Sequence, residues 1–119
     1  MKILVVDDSK AMRMIVIRNL RQAGYGDATV LEAENGVQAL AQVAAEAPNL
    51  ILCDWNMPEM NGLELLQKLR ADGNATTFGF VTSESTPAMR EQALGNGAAF
   101  LLAKPFSADD FQDLLAGVV

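Results

Sequence analysis

Short, continuous apolar runs alternate with segments of helical period five times along this chain, and this alternation limits the fold more than any other feature. Ile3 to Val6, Leu50 to Cys53, Phe78 to Val81 and Phe100 to Ala103 run without a polar interruption, as parallel strands covered on both faces do. Thr29-Val30-Leu31-Glu32 is more mixed and reads as an edge strand. Between these runs, Met12, Ile15, Val16 and Leu20 fall at helical spacing, then Val37, Leu40, Ala41 and Ala44, then Leu65, Leu66 and Leu69. Each set predicts one apolar helix face.

The punctuation agrees with this division. Gly24 and Gly26 follow the first helix, Asn35-Gly36 opens the second and Pro48 ends it, and Asn61-Gly62 opens the third. Thr86-Pro87 has the cap-then-proline order of a fourth helix start, with Gly95 and Gly97 at its exit. Ser107 and Asp110 have capping-box spacing and Phe106 and Phe111 staple spacing, so a last helix runs from Ala108 to about Leu115.

Right-handed crossovers leave few arrangements for five such units. The expected fold is α/β: an open five-stranded parallel sheet, order 2-1-3-4-5, with helices on both faces. The 119 residues suffice for one core, so residues 1–119 are expected to form one domain. In such sheets ligands bind beyond the carboxyl ends of the strands, where the strand order reverses, here between the first and third strands.

Composition excludes several kinds of function. No apolar run reaches the roughly 18 residues of a membrane span, and Met1 to Val6 is too short for a secretory signal before two acids follow. A cytoplasmic protein without membrane contact is expected. A net charge of −6 without a basic run argues against direct nucleic-acid binding. Cys53 is the single cysteine, sits in an apolar run and reads as a buried, inert thiol. There is no histidine, so usual zinc and haem sites and histidine-based hydrolase triads are ruled out, and any metal must take oxygen ligands.

The strand-end residues are Asp7 and Asp8, Asp54, Thr82 and Lys104. Each has a structural explanation alone: Asp8 or Ser9 could cap the first helix, Thr82 a turn, and Lys104 could be a surface cation. Together they are harder to dismiss. Carboxylates drawn to one pole repel by ~4 kcal/mol per close pair at a near-surface dielectric. A divalent ion plus Lys104 would compensate that repulsion, with the Thr82 hydroxyl facing an incoming oxyanion.

Val5-Val6-Asp7-Asp8, Asp54-Trp55-Asn56-Met57-Pro58, Val81-Thr82-Ser83-Glu84 and Lys104-Pro105-Phe106 resemble the motifs of the response-regulator receiver domain, across essentially the whole chain. Flavodoxin-like and CheY-like proteins share the expected strand order. The resemblance implies a two-component signalling switch rather than an enzyme, with only self-catalysed phosphoryl transfer and autodephosphorylation. Asp54 would accept a phosphoryl group from a sensor histidine kinase or phosphotransfer protein. With no histidine in the chain, the donor is expected in trans or as a small acyl phosphate. Asp8, Asp54 and the Asn56 main-chain carbonyl would ligate Mg²⁺, or Mn²⁺ in its place, with Asp7 acting through water. Lys104 would pair with the carboxylate and then the phosphate, Thr82 and the Ser83 backbone N–H would bind the phosphate, and Pro105 stands where the family frequently has a cis bond.

The family's switch aromatic lies three residues before the lysine, where this chain has Leu101; Phe100 is one residue earlier. A one-residue offset in a strand reverses the face, so Phe100 reads as core. Leu101, Phe100 and Glu84 mark the switch region, and movement of the loop from Ser83 to Thr86 replaces the aromatic relay. Switching is expected to alter the 82–104 face for a downstream protein effector. A chemotaxis role is compatible, but the fourth helix lacks a basic surface, so flagellar-motor docking is not implied. A flavodoxin-like carrier would need a phosphate loop where Asp7 and Asp8 stand. The chain has no nucleotide-binding fingerprint, and its adjacent acids do not match an aspartyl phosphatase. The alternative carried forward is a phosphorylation-independent interaction module of the same fold.

Overall fold

The computed structural model describes residues 1–104 and 106–117, so the Lys104-Pro105 bond and the Val118-Val119 end lie outside the described residues. The elements are β1 (Lys2–Val6), α1 (Lys10–Leu20), β2 (Thr29–Ala33), α2 (Gly36–Glu46), β3 (Leu50–Cys53), α3 (Gly62–Ala71), β4 (Thr77–Thr82), α4 (Pro87–Gly95), β5 (Phe100–Ala103) and α5 (Ala108–Ala116). A wider helical turn, Arg21–Tyr25, continues α1. All strand pairs are parallel, in the order β2-β1-β3-β4-β5. The expected fold class and the edge position of β2 are both observed. No helix among the described residues is long and apolar enough to cross a membrane.

Strand alternation divides the core into two layers. Leu4, Ile51, Phe78, Phe80 and Leu101 face α2, α3 and α4. Ile3, Val5, Leu52, Val81 and Phe100 face α1 and α5. The helix starts follow the local chemistry: Asn35, Asn61, Thr86 and Ser107 each accept a backbone N–H of the first turn. Capping boxes close both α3, through Glu64, and α5, through Asp110. The Phe106 and Phe111 rings meet edge-to-face at 5.0 Å.

Two predicted helix faces are corrected in part, since Leu40 on α2 and Val16 and Leu20 on α1 do pack against the core. On α2, Val37 is 65% exposed and Ala41 and Ala44 face solvent, while Gly36, Ala39 and Val43 point inward. Gln38, Gln42 and Glu46, four residues apart, form one polar stripe on α2, and the inward line of Gly36, Ala39 and Val43 lies beside that stripe rather than opposite it. Met60 packs against Gly36 on this inward side. On α1, Ile15 is 40% exposed, and the inward line is Arg13, Val16 and Leu20.

Gly79 explains how Phe100 is accommodated. A Cβ there would run into the Phe100 ring, which lies across the neighbouring strand. Gly79→Ala is expected to cost about 1–3 kcal/mol through overpacking. Urea denaturation would show this as a lower midpoint with an unchanged slope.

Candidate functional site

The alternation that sorts the core also arranges the strand ends. Asp7, Asp54 and Lys104 continue the register of Val5, Leu52 and Leu102, which belong to the α1/α5 face, so their side chains emerge on one side. Lys104 Nζ lies 3.4 Å from Asp7 Oδ2 and 3.9 Å from Asp54 Oδ2. Carboxylate oxygens of Asp7, Asp8 and Asp54 all come within 4.8 Å of one another. Asp7, Asp54 and Thr82 are buried, whereas Asp8 is exposed. Thr82 continues the register of Phe80 and so shares the α4 side with Leu101. The Lys104 backbone N–H donates to the Thr82 carbonyl at 2.7 Å and ties the ends of β4 and β5 together.

Local bonding fixes each loop. Ser9 caps α1 through the Met12 N–H, and the Ser9 N–H donates to Asp7 Oδ1 at 2.9 Å. Asp7 N–H donates to the Ala33 carbonyl, and Asp54 N–H to the Val6 carbonyl at 2.9 Å. After Asp54 the chain turns at Glu59, with φ 70°, and the Gly62 N–H donates to the Trp55 carbonyl at 2.8 Å. A Cβ at Gly62 would collide with the Asp54 carbonyl oxygen, so glycine lets α3 start directly against the acid's backbone. Trp55 packs on Phe80 with ring centroids 4.8 Å apart.

The electrostatics are unbalanced. Burial pushes the Asp54 carboxyl above its ordinary value; Lys104 opposes that shift and Asp7 adds to it. The Trp55 and Asn56 amides also draw it down. Neither amide meets hydrogen-bond geometry with Asp54 Oδ1, which has no partner among the described residues, and neither has the buried Thr82 Oγ1. Burial foremost, with the charges of Asp54 and Asp7, drives the Cys53 thiol far upward, so it stays protonated and unreactive. Two buried polar atoms without partners at one pole of the sheet, one an acceptor in the acid cluster and one a hydroxyl, suit a ligand that supplies both positive charge and acceptor oxygens. The all-oxygen donor set of Asp7, Asp8 and Asp54 suits a hard divalent cation such as Mg²⁺ or Mn²⁺.

A family model described as the response regulator receiver domain matches residues 3–116. The chain belongs to the response-regulator receiver family. It is 43% identical to chemotaxis protein CheY1 of Helicobacter pylori (strain J99), covering 100% of this chain and 97% of that protein. It is 41% identical to a chemotaxis protein CheY homolog of Campylobacter jejuni, covering 100% and 92%. Among solved structures, Vibrio cholerae chemotaxis protein CheY4 superposes with a TM-score of 0.87 at 32% identity, covering 99% and 98%. The signal receiver domain of the putative response regulator NarL from Mycobacterium tuberculosis gives 0.86 at 29%, covering 98% and 93%.

In this receiver domain Asp7, Asp8, Asp54 and Lys104 come together, and the Thr82 hydroxyl is buried at the same pole. Asn56, Ser83 and Glu84 are exposed on the loops around it. Phe100 and Leu101 are buried on opposite faces of β5. Two residues at the site escaped the sequence reading. Gly62 looked only like a helix start. Arg13 is buried, donating from Nη1 to the Asp7 carbonyl at 2.6 Å and from Nε to Glu32 Oε1 at 2.9 Å. Its position three residues before Val16 and seven before Leu20 was the available signal, since that spacing puts it on the core face.

In the unfolded chain Asp54 titrates near its ordinary 3.8, and in the fold its value is raised. The folded form therefore holds the proton more tightly, and the buried carboxyl costs stability as pH rises through the raised value. Asp54→Asn should stabilise the metal-free protein at neutral pH, because Lys104 keeps Asp7 as a partner. The gain should shrink towards zero as pH falls below 3.8. Thermal unfolding of both proteins across pH measures it, and a less stable variant at neutral pH would contradict the electrostatic account.

Proposed function

We propose that this receiver domain is a phosphorylation-driven switch of a two-component system, in which Asp54 takes a phosphoryl group from a partner's phosphohistidine. The observation that carries this reading is Asp54 Oδ1, a buried, unpartnered oxygen of a carboxyl whose pKa is raised and whose other oxygen, Oδ2, lies 3.9 Å from Lys104 Nζ. Such an oxygen is poorly solvated and engaged by no competing hydrogen bond, which leaves its lone pairs available for attack.

An Asp54 carboxylate oxygen forms the new bond to phosphorus as the P–N bond to the donor histidine breaks. The electron pair leaves with the imidazole, which takes a proton from solvent. Asp8, Asp54 and the Asn56 carbonyl would hold Mg²⁺, with Asp7 through water, and the ion would neutralise charge on the transferring phosphoryl oxygens. Lys104, already between Asp7 and Asp54, supplies a further positive charge to the same oxygens. The Thr82 hydroxyl gains its missing partner in a phosphate oxygen, and the Ser83 N–H adds a second donor. The donor protein has room to dock beside the site, over a groove of ≈ 310 Å³ lined by Met12, Ile15, Lys104 and Phe106.

Reversing a 1:99 population to 99:1 needs ~5.5 kcal/mol of preference for the active state. Two charge-assisted hydrogen bonds at roughly 1.5–3 kcal/mol each are of that size. The message leaves through the 82–104 face. Residues 83–88 are all exposed, so the loop before α4 can move without opening the core, while Leu101 stays packed. The effector is a protein that reads this loop and its flanking helix.

With Mg²⁺ and acetyl phosphate, wild type should gain one phosphoryl mass, and Asp54→Asn should gain none. Trp55, the sole tryptophan, should report Mg²⁺ and then beryllofluoride by a change in fluorescence. Thr82→Ala should still accept the phosphoryl group but lose most of the second change. No mass gain and no fluorescence response in wild type would favour a phosphorylation-independent interaction module.

A further inference from the structure

Arg13 is a permanent cation buried within reach of the acid cluster, and the phosphoryl chemistry described above gives it no task. Its side chain is 8% exposed, and a buried guanidinium is retained only where its donors are well matched. Here Nη1 meets the main-chain carbonyl of Asp7 at 2.6 Å, and Nε meets the Glu32 carboxylate on β2 at 2.9 Å. Asp7 is thus gripped on every side. Its N–H goes to Ala33, its carbonyl takes Arg13, Oδ1 takes the Ser9 N–H and Oδ2 faces Lys104.

Asp8 is the opposite case: it is exposed and no hydrogen bond holds its side chain among the described residues. Its position depends on the backbone of the turn that starts at Asp7. Repulsion among Asp7, Asp8 and Asp54 pushes that turn outward whenever no cation is bound. The Arg13 guanidinium resists such a movement, because it ties the Asp7 carbonyl to Glu32 on β2.

We propose that Arg13 is a positioning residue for the divalent cation site: it holds the β1–α1 turn in place, so that Asp8 is ready to ligate before the ion arrives. The inference rests on the metal-dependent reading of the site. Charge alone predicts the reverse behaviour, since a positive group near the acids repels a cation. Glu32 at 2.9 Å largely cancels that charge locally, which leaves the geometric effect dominant. Lysine cannot substitute, because a single ammonium cannot span the carbonyl and the carboxylate as the planar fork does.

The test is Mg²⁺ titration of metal-free protein, followed by Trp55 fluorescence and by calorimetry, for wild type, Arg13→Lys and Arg13→Met. Both variants should bind Mg²⁺ about 10-fold more weakly, within the range typical of residues that orient metal ligands. At saturating Mg²⁺ both should accept a phosphoryl group from acetyl phosphate at the wild-type rate, which general damage to the fold would not allow. Amide exchange of metal-free Arg13→Lys should be faster at Ser9 than in wild type and unchanged in β3 and β4; this readout stands even if Arg13→Met fails to fold. Unchanged or tighter Mg²⁺ binding by Arg13→Lys overturns the inference and leaves the switch intact. A wild type that binds no Mg²⁺ overturns the switch reading and this inference with it.

Discussion

Three carboxylates share one pole of the sheet, and much of the local structure serves to make that tolerable. Asp7 and Asp54 are buried at the ends of adjacent strands, with Asp8 beside them. A protein selected for stability alone would not bring like charges together in a poorly solvated place. Lys104 divides its single charge between two of the acids, the Arg13 fork holds the turn from behind, and Gly62 lets the backbone after Asp54 fold back tightly. What remains uncompensated among the described residues is Asp54 Oδ1 and Thr82 Oγ1, both buried and without a hydrogen-bond partner.

The same alternation that separates the two core layers also divides the strand-end residues between the two faces of the sheet. Asp7, Asp54 and Lys104 belong to the α1/α5 side, whereas Thr82 and Leu101 belong to the α4 side. A group bound between Asp54 and Thr82 therefore bridges the two faces of the sheet. Phe100 cannot join that bridge, because its ring is committed to the other layer against Gly79. With a packed aliphatic residue at position 101, the exposed stretch from Ser83 is the softer element, and movement there costs least in lost burial.

Legibility in the sequence followed the strength of each local signal. The strands were readable because parallel strands buried on both faces must be apolar throughout, and the edge position of β2 showed in its Thr and Glu. Helix starts were readable because Asn35, Asn61, Thr86 and Ser107 do a job that few side chains can do. The face of α2 was not, since its inward line, Gly36, Ala39 and Val43, lies beside the polar stripe of Gln38, Gln42 and Glu46 and not opposite it. Arg13 was overlooked because charge suggests solvent, and only its partners, Glu32 and the Asp7 carbonyl, make burial tolerable.

The order of apolar runs and punctuation by itself determined the class of fold, the strand order and hence the pole at which Asp7, Asp8, Asp54, Thr82 and Lys104 gather. These follow from rules of period, handedness and capping that act over a few residues or over whole crossovers. Tertiary structure alone decided that Lys104 sits between two acids rather than on one, that Asp8 stays exposed while Asp7 is clamped, and that Arg13 turns inward. Those outcomes depend on distances of a few ångströms between residues far apart in the chain, and electrostatic energy changes steeply at that range. No local pattern records such distances.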